Sequence, residues 1–191
     1  MSNSPKRPYD VMWPIAHDLV QRLRPYCQRI EIAGSLRRGK AEIGDIEIMA
    51  IPCPVRVRFD GLIKSPYQLD WVLEERVRQQ RIVLVRNGPK QKSFHFNLKD
   101  VGQVDVELWL QPDPQTWGCN FMIRTGSADF SKWMVTSQGW GGAMPMGLRF
   151  AEGRLWQGDV ALPTPEEADV FDALGLAWIP PQERKAGRWG Q

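Results

Sequence analysis

Cysteine and histidine are scarce in this chain, and their scarcity limits the chemistry available to it. The 191 residues include only three cysteines and two histidines. Cys27, Cys53 and Cys119 are far apart and form no Cys-x-x-Cys pair, so we expect reduced thiols rather than disulfides. His17 and His95 are too few for a zinc site without thiolate ligands. Zinc-dependent and disulfide-stabilised classes are therefore disfavoured.

Long apolar runs are also missing. No apolar run reaches the roughly 18 residues that a membrane span needs, and the start, MSNSPKRPYD, lacks the apolar stretch of a signal peptide. We therefore expect no membrane contact and a cytoplasmic protein. A net charge of +3 leans toward a polyanionic partner, although a mixed solvated surface gives the same total.

The residues that are present predict a globular chain whose first part contains both helices and strands. The composition, 42% hydrophobic and 25% charged, suffices for a real core. Helical periodicity covers residues 9–26, with Asp10 as the expected cap and Pro14 in the first turn. A second helix is predicted at 66–80. Alternating apolar residues predict strands at 29–34, 45–51, 81–87, 92–98 and 104–110.

The pattern changes after the prolines at 112 and 114. Residues 115–138 predict two helices broken at 125–127, followed by short strands near 148–150 and 154–157. Thr164-Pro165-Glu166-Glu167 has the cap, proline and acidic turn of a helix start. We therefore predict two domains, residues 1–112 and 113–191.

The stretch GSLRRGKAEIGDIEIMA, residues 34–50, places acids in an otherwise apolar strand. Asp45 and Glu47 project from one face because strand side chains alternate, and Asp105 and Glu107 repeat this pattern on a later strand. Such a cluster of like charges would need cations, and hard oxygen ligands select Mg²⁺ or Mn²⁺. The alternative is that these acids line a solvent-facing sheet.

The preceding Gly34-Ser35 favours the metal interpretation. A strand that ends in Gly-Ser and enters a helical turn offers backbone N–H groups and a hydroxyl to a phosphate. Arg37 and Arg38 add positive charge beside it. A phosphate site about ten residues before two carboxylates suits metal-assisted phosphoryl transfer.

These motifs resemble the signature of the family X DNA polymerases, which are polymerase beta-like nucleotidyltransferases. The similarity extends to VDVELWL (104–110), RTGSADFSKWM (124–134) and PTPEEADVFDALGLAWIPPQER (163–184), and covers roughly residues 30–185. The resemblance implies an α/β (α+β) palm with a mixed sheet, followed by a small C-terminal α+β thumb-like domain. The sequence shows no segment that resembles the family's amino-terminal lyase domain, so we expect no 5′-deoxyribose phosphate lyase activity.

The resemblance also implies residue roles. Asp45, Glu47 and Asp105 would bind two divalent cations, whereas Glu107 is assigned no catalytic role. The triphosphate would contact Gly34, Ser35 and Arg38, with Gly44 allowing close approach. The remaining implied contacts are Arg124, Thr125 and Gly126 with the nucleotide, and Lys90, Lys92 and Lys132 with DNA.

Several positions depart from the family pattern. Glu47 replaces an aspartate, Ile123-Arg124 replaces an aromatic pair, and Gln103 stands where polymerase beta has an arginine. Nine tryptophans, among them Trp117, Trp133 and Trp140, could stack on bases, with core packing as the alternative.

The function expected from the sequence is a monomeric, gap-filling DNA polymerase that uses nucleoside triphosphates and a primer-template or gapped duplex. One alternative is a template-independent transferase acting on RNA, proteins or small molecules. The other is a catalytically inactive nucleic-acid-binding module.

Overall fold

The computed structural model describes residues 5–55 and 66–184 and has the mixed α/β fold that the sequence predicts. The chain divides into two compact units. The first comprises Met1–Ile32 and Ala41–Pro112, and the second comprises Ala33–Lys40 and Asp113–Gln191. Residues 33–40, which the predicted division placed in the first domain, therefore pack with the second unit.

A five-stranded sheet forms the centre of the first unit. Its strands are β2 (Cys27–Ile32), β4 (Ile46–Pro52), β5 (Val83–Asn87), β6 (Gln91–Leu98) and β7 (Gly102–Leu110). They lie in the order β2-β4-β7-β6-β5. Strands β4 and β7 are parallel, and the other neighbours are antiparallel. The two-residue strands β1 (Arg7–Pro8) and β3 (Glu42–Ile43) pair with each other, and both are too short to produce a sequence pattern.

Helix α1 (Tyr9–Leu23) buries Met12, Ala16 and Val20 along one stripe, because residues four apart lie on the same face of a helix. The prediction of Asp10 as its cap is wrong, because the N-cap is Pro8. Pairing of β1 with β3 keeps the chain extended up to Pro8, so the helix begins directly after it. Pro14 consequently lies inside the helix instead of in its first turn.

The helices of this unit cover one face of the sheet. Phe94, Val106 and Ile46 are buried and lie in register across β6, β7 and β4. A cavity of about 430 Å³ is lined by residues of α1, of α3 (Gln68–Arg78) and of β6, Phe94 among them. Helices α1 and α3 therefore lie on the Phe94 face. The residues that alternate with this buried row, including the acids of β4 and β7, lie on the opposite face.

Among its described residues, the second unit combines four α-helices with a small antiparallel sheet. Its helices are α2 (Gly34–Arg37), α4 (Trp117–Thr125), α5 (Ala128–Val135) and α6 (Glu167–Ala173). The sheet contains β8 (Leu148–Ala151), β9 (Arg154–Gln157) and β10 (Val160–Leu162), in the order β10-β9-β8. Strand β10 was not predicted, because its three residues are too short to show alternation. The buried core includes Cys119, Met122, Phe130, Leu155 and Phe171.

Local signals explain most of the helix boundaries in this unit. Gly126 ends α4 with a φ of 69°, and the Ser127 hydroxyl accepts a hydrogen bond from the Phe130 N–H at the start of α5. The predicted cap at Thr164 is wrong. Glu166 and Asp169 form a reciprocal capping box at α6, whereas Thr164 is buried and bonded through its backbone to Gln115. Within residues 5–55 and 66–184, no helix is long and apolar enough to cross a membrane.

Candidate functional site

Parallel pairing of β4 with β7 brings the predicted metal ligands of the first unit to corresponding positions. Asp45 immediately precedes Ile46, Asp105 immediately precedes Val106, and Ile46 and Val106 are register partners. Both aspartates are half-buried, while the two apolar residues are buried. The sheet register therefore places the two carboxylates side by side on one face.

The same register continues the acidic face by two residues. Glu47 on β4 is paired with Glu107 on β7, and both side chains are half-buried. On the other side of β7, His95 of β6 is the register partner of Asp105. This face of the sheet thus concentrates four carboxylates on two neighbouring strands.

Burial and mutual repulsion act on Asp45. Removal from water disfavours its charged form, and the negative charge of Asp105 adds to this effect, so the pKa of Asp45 is raised above its ordinary value. The Gln103 amide donates a hydrogen bond of 2.8 Å to Asp105 Oδ1. Because that donor is neutral, it orients Asp105 without cancelling its charge.

The chemistry of these donors suits a hard divalent cation. Carboxylate oxygens are preferred ligands of Mg²⁺, which usually keeps waters and takes one or two carboxylates together with substrate phosphates. Within the described ranges, however, no group of three His, Cys, Asp or Glu side chains is arranged to hold a metal, so the predicted set of Asp45, Glu47 and Asp105 is not assembled as a three-ligand site. The negative charges of Asp45 and Asp105 repel each other, and a cation would relieve that repulsion.

Gly44, directly before Asp45, leaves open space beside the acids. A Cβ built at Gly44 would meet no atom within 4 Å, so the fold itself does not require glycine there.

The predicted phosphate-binding turn belongs to the second unit. Gly34 begins α2 with a φ of 60°, a conformation that favours glycine. The backbone N–H groups of Arg37, Arg38 and Lys40 donate hydrogen bonds to the carbonyl oxygens of residues 33–35 within the turn. The N–H groups at the start of a helical turn have no partner inside the helix, so Gly34, Ser35 and Leu36 present the donors that an anion would use.

The two arginines of this turn are bonded to the end of α4. The Arg38 guanidinium donates to the backbone oxygen of Thr125. Arg37 Nη1 donates to the hydroxyl of the buried Thr125 at 2.6 Å. Thr125 and Gly126, predicted nucleotide contacts, are thus joined to α2 inside the same unit. Arg124, the third residue of that predicted set, lies half-buried in the last turn of α4.

A buried ion cluster centred on Glu167 was not predicted from the sequence. Arg37 forms two hydrogen bonds of 2.9 Å to the Glu167 carboxylate, and the fully buried Arg184 adds a third of 2.7 Å. Burial alone would raise the pKa of Glu167, but the hydrogen bonds and charges of Arg37 and Arg184 outweigh it and lower the pKa. Sequence showed Glu167 only as an acid in a first helical turn, since partners 130 residues apart leave no local pattern.

The three predicted DNA-binding lysines have different environments. Lys90 and Lys132 are exposed. Lys92 is 4% exposed, and its ammonium contacts Asp70 at 2.5 Å, which corrects its predicted role on a DNA-binding surface. Lys92 lies two residues before Phe94 on β6, so both side chains point to the same, helix-covered face of the sheet. Helix α3 supplies Asp70 on that face. That spacing was a signal available in the sequence.

Comparisons with known proteins identify two similarities. Residues 121–185 match the family model described as DNA polymerase beta thumb. The chain is also 30% identical over 168 residues to DNA polymerase lambda of Rattus norvegicus, an alignment that covers 79% of this chain and 28% of the relative. The chain thus spans little more than a quarter of the length of that curated relative.

Proposed function

Because the chain is a family X polymerase-like protein, we propose that it is a metal-dependent nucleotidyltransferase that extends a DNA 3′-hydroxyl and fills short gaps. The observation that carries this proposal is the side-by-side register of Asp45 and Asp105 on parallel strands. Two partly buried carboxylates in opposition raise the free energy of the metal-free site, so a cation has a reason to bind there.

Asp45, Glu47 and Asp105 would hold two Mg²⁺ or Mn²⁺ ions. Bound there, the ions would lower the pKa of the attacking hydroxyl and neutralise charge on the phosphates. The protein's own contribution is to keep these carboxylates in place. Sheet pairing fixes the strands, and Gln103 orients Asp105. The longer side chain of Glu47 would still reach a ligand position.

Gly34, Ser35 and Arg38 would bind the triphosphate of the incoming nucleotide. The hydroxyl of Ser35 and the first N–H groups of α2 would donate to phosphate oxygens. Arg38 already donates to the backbone oxygen of Thr125, so its role would include holding residues 124–126 for contact with the sugar. Gly44 would let the nucleotide approach Asp45, since the space beside it is open.

Exposed lysines would bind the DNA backbone. Lys90 and Lys132 are both accessible to a phosphate, and such contacts supply affinity without sequence preference. Lys92 has no part in this proposal because its ammonium is buried against Asp70.

The decisive experiment compares Asp45→Asn with Glu107→Gln in primer extension. Both variants remove one carboxylate from the same sheet face, but only Asp45 is a proposed metal ligand. Labelled primer, primer-template, gapped duplex and single strand are incubated with each nucleotide and with Mg²⁺ or Mn²⁺. We expect Asp45→Asn to lower the rate of nucleotide incorporation more than about 100-fold. Mutation of residues that only support metal ligands already lowers metal affinity or activity by about 10- to 100-fold. Glu107→Gln should remain active.

Three outcomes would contradict the proposal. Equal loss in the two variants would mean that the face contributes only general negative charge. Efficient extension without template would indicate a template-independent transferase. DNA binding by a folded wild-type protein that incorporates no nucleotide on any substrate would indicate an inactive nucleic-acid-binding module.

A further inference from the structure

One tryptophan of the second unit is held almost entirely in solvent. Trp140 is 87% exposed and lies in the connection between α5 and β8, which covers residues 136–147. Trp117, by contrast, is fully buried, and Trp133 packs against the core. Core packing therefore explains Trp117 and Trp133 but does not explain Trp140.

The connection that carries Trp140 is firmly built. Ala143 N donates to Trp133 O and Met144 N donates to Thr136 O, each at 2.9 Å. Both residues are buried in the core. A Cβ at Gly142 would lie 2.0 Å from the Thr136 oxygen, so the backbone there is packed as closely as glycine allows. The connection that carries Trp140 is thus tied to the core on its C-terminal side.

The neighbours of Trp140 leave its ring accessible. Gly139 and Gly141 flank it, and a Cβ built at either would meet no atom within 4 Å. The residues next to Trp140 in the chain therefore add no apolar side chains to it, whereas a protein-protein interface needs a contiguous apolar area. An exposed ring flanked by glycines suits a flat ligand that stacks on it.

The chain segment that contains Trp140 is basic in sequence. Between Asp129 and Glu152 the sequence contains two charged residues, Lys132 and Arg149. Both are exposed, one on the helix that precedes the connection and the other on the strand that follows it. Arg149 also lies over the Trp156 ring at 4.8 Å. A basic segment with an exposed aromatic ring has the composition of a single-strand-binding surface.

We propose that Trp140 stacks on an unpaired base of single-stranded DNA, while Lys132 and Arg149 attract the adjoining phosphates. The inference rests on the proposed function to the extent that DNA is the substrate. It adds a contact for an unpaired strand to that function. Stacking tolerates any base, because every base has a flat aromatic face.

The test measures affinity by fluorescence anisotropy for a duplex with a single-stranded template overhang and for the same duplex with blunt ends. We expect Trp140→Ala to weaken binding of the overhang DNA by about 5- to 150-fold, the range for one base–aromatic stack. Affinity for blunt DNA should stay nearly unchanged, and Trp140→Phe should retain most of the overhang affinity. The melting temperature of each variant verifies folding.

Two matched controls separate stacking from other effects. Met146→Ala removes a 99% exposed apolar side chain from the same connection and should leave affinity unchanged, since methionine has no aromatic face. An overhang with abasic sites keeps the phosphates but removes the bases. On that DNA the wild type and Trp140→Ala should bind equally, as in a cycle that removes both partners of one contact.

The outcomes distinguish this inference from the proposed function. If the wild type extends a primer but Trp140→Ala binds the overhang with unchanged affinity, the stacking contact is refuted and the proposed function stands. The inference is also refuted if Met146→Ala causes an equal loss, or if the loss persists on abasic DNA. If the wild type binds neither DNA, both proposals fail.

Discussion

Asp45 combines a proposed functional role with a cost to the fold. Its carboxylate is disfavoured by burial and by Asp105, which together raise its pKa. In an acid with a raised folded-state pKa, ionisation lowers stability, and the penalty is present above that pKa and absent below the ordinary value of 3.8. At neutral pH the metal-free protein therefore carries this penalty.

We expect Asp45→Asn to melt no lower than the wild type in metal-free buffer at pH 7. Adding Mg²⁺ should stabilise the wild type, by about 2.7 kcal/mol at a concentration 100 times the dissociation constant, but should affect the variant much less. Differential scanning calorimetry with and without metal measures both effects. Equal stabilisation of the two proteins by Mg²⁺ would place the metal elsewhere.

Glu167 has the opposite pH dependence. Its lowered pKa contributes stability that is present above the ordinary value of 4.5 and is lost as pH falls through the folded-state value. We expect Glu167→Gln to cost about 3–5 kcal/mol at pH 7, because it leaves Arg184 buried without its counter-charge. The difference from wild type should shrink in acid. Urea unfolding at several pH values tests this, and a difference independent of pH would contradict it.

At the scale of elements, helix α4 is attached to the segment before α6 by an unusually close contact. Gly118 N donates to Thr164 O at 2.7 Å, and a Cβ at Gly118 would lie 2.0 Å from Glu166 O. Because Gly118 is the second residue of α4, this contact fixes the start of the helix against that segment. A side chain at position 118 would push the two segments apart.

Two glycine substitutions should accordingly affect different properties, one of them stability and the other activity. We expect Gly118→Ala to destabilise the protein by about 1–3 kcal/mol through overpacking. Gly44→Ala should leave stability within about 0.5 kcal/mol, as surface changes usually do, but should reduce nucleotide incorporation by obstructing approach to Asp45. Chemical denaturation combined with primer extension measures both. If Gly44→Ala is fully active, the space beside Asp45 does not admit substrate.

At the scale of the whole molecule, some positively charged side chains are exposed and others are buried in ion pairs. Lys90 and Lys92 are two residues apart, yet one is exposed and the other is buried in an ion pair with Asp70. A net charge of +3 therefore says little about which cations meet DNA. The salt dependence of binding separates the two roles, because each neutralised phosphate releases counterions.

We expect DNA affinity to fall steeply with salt, and Lys90→Ala to reduce the slope of log K against log salt by about 0.9. Lys92→Met should leave that slope unchanged while lowering stability by about 3–5 kcal/mol, since it removes the cation that contacts the buried Asp70 carboxylate. Anisotropy titrations at several salt concentrations and thermal melts measure these effects. A flat salt response of the wild type would indicate a substrate other than DNA.

The sequence by itself determined the features that repeat over a few residues. Alternation identified the five long strands of the first unit, and Gly126-Ser127 identified the break between α4 and α5. The acids of Asp45 and Glu47 were visible for the same reason, because charge at alternate positions of an apolar strand is a local pattern.

Only the tertiary structure decided which distant groups meet. It paired β4 with β7 in parallel register and so set Asp45 beside Asp105. It joined Arg37 and Arg184 to Glu167, buried Lys92 against Asp70 and left Trp140 in solvent. Such contacts depend on strand order and on packing between segments far apart in the chain. Spacing from Phe94 could indicate that Lys92 faces the covered side of the sheet, but residue type and spacing do not identify Asp70 or the other distant partners.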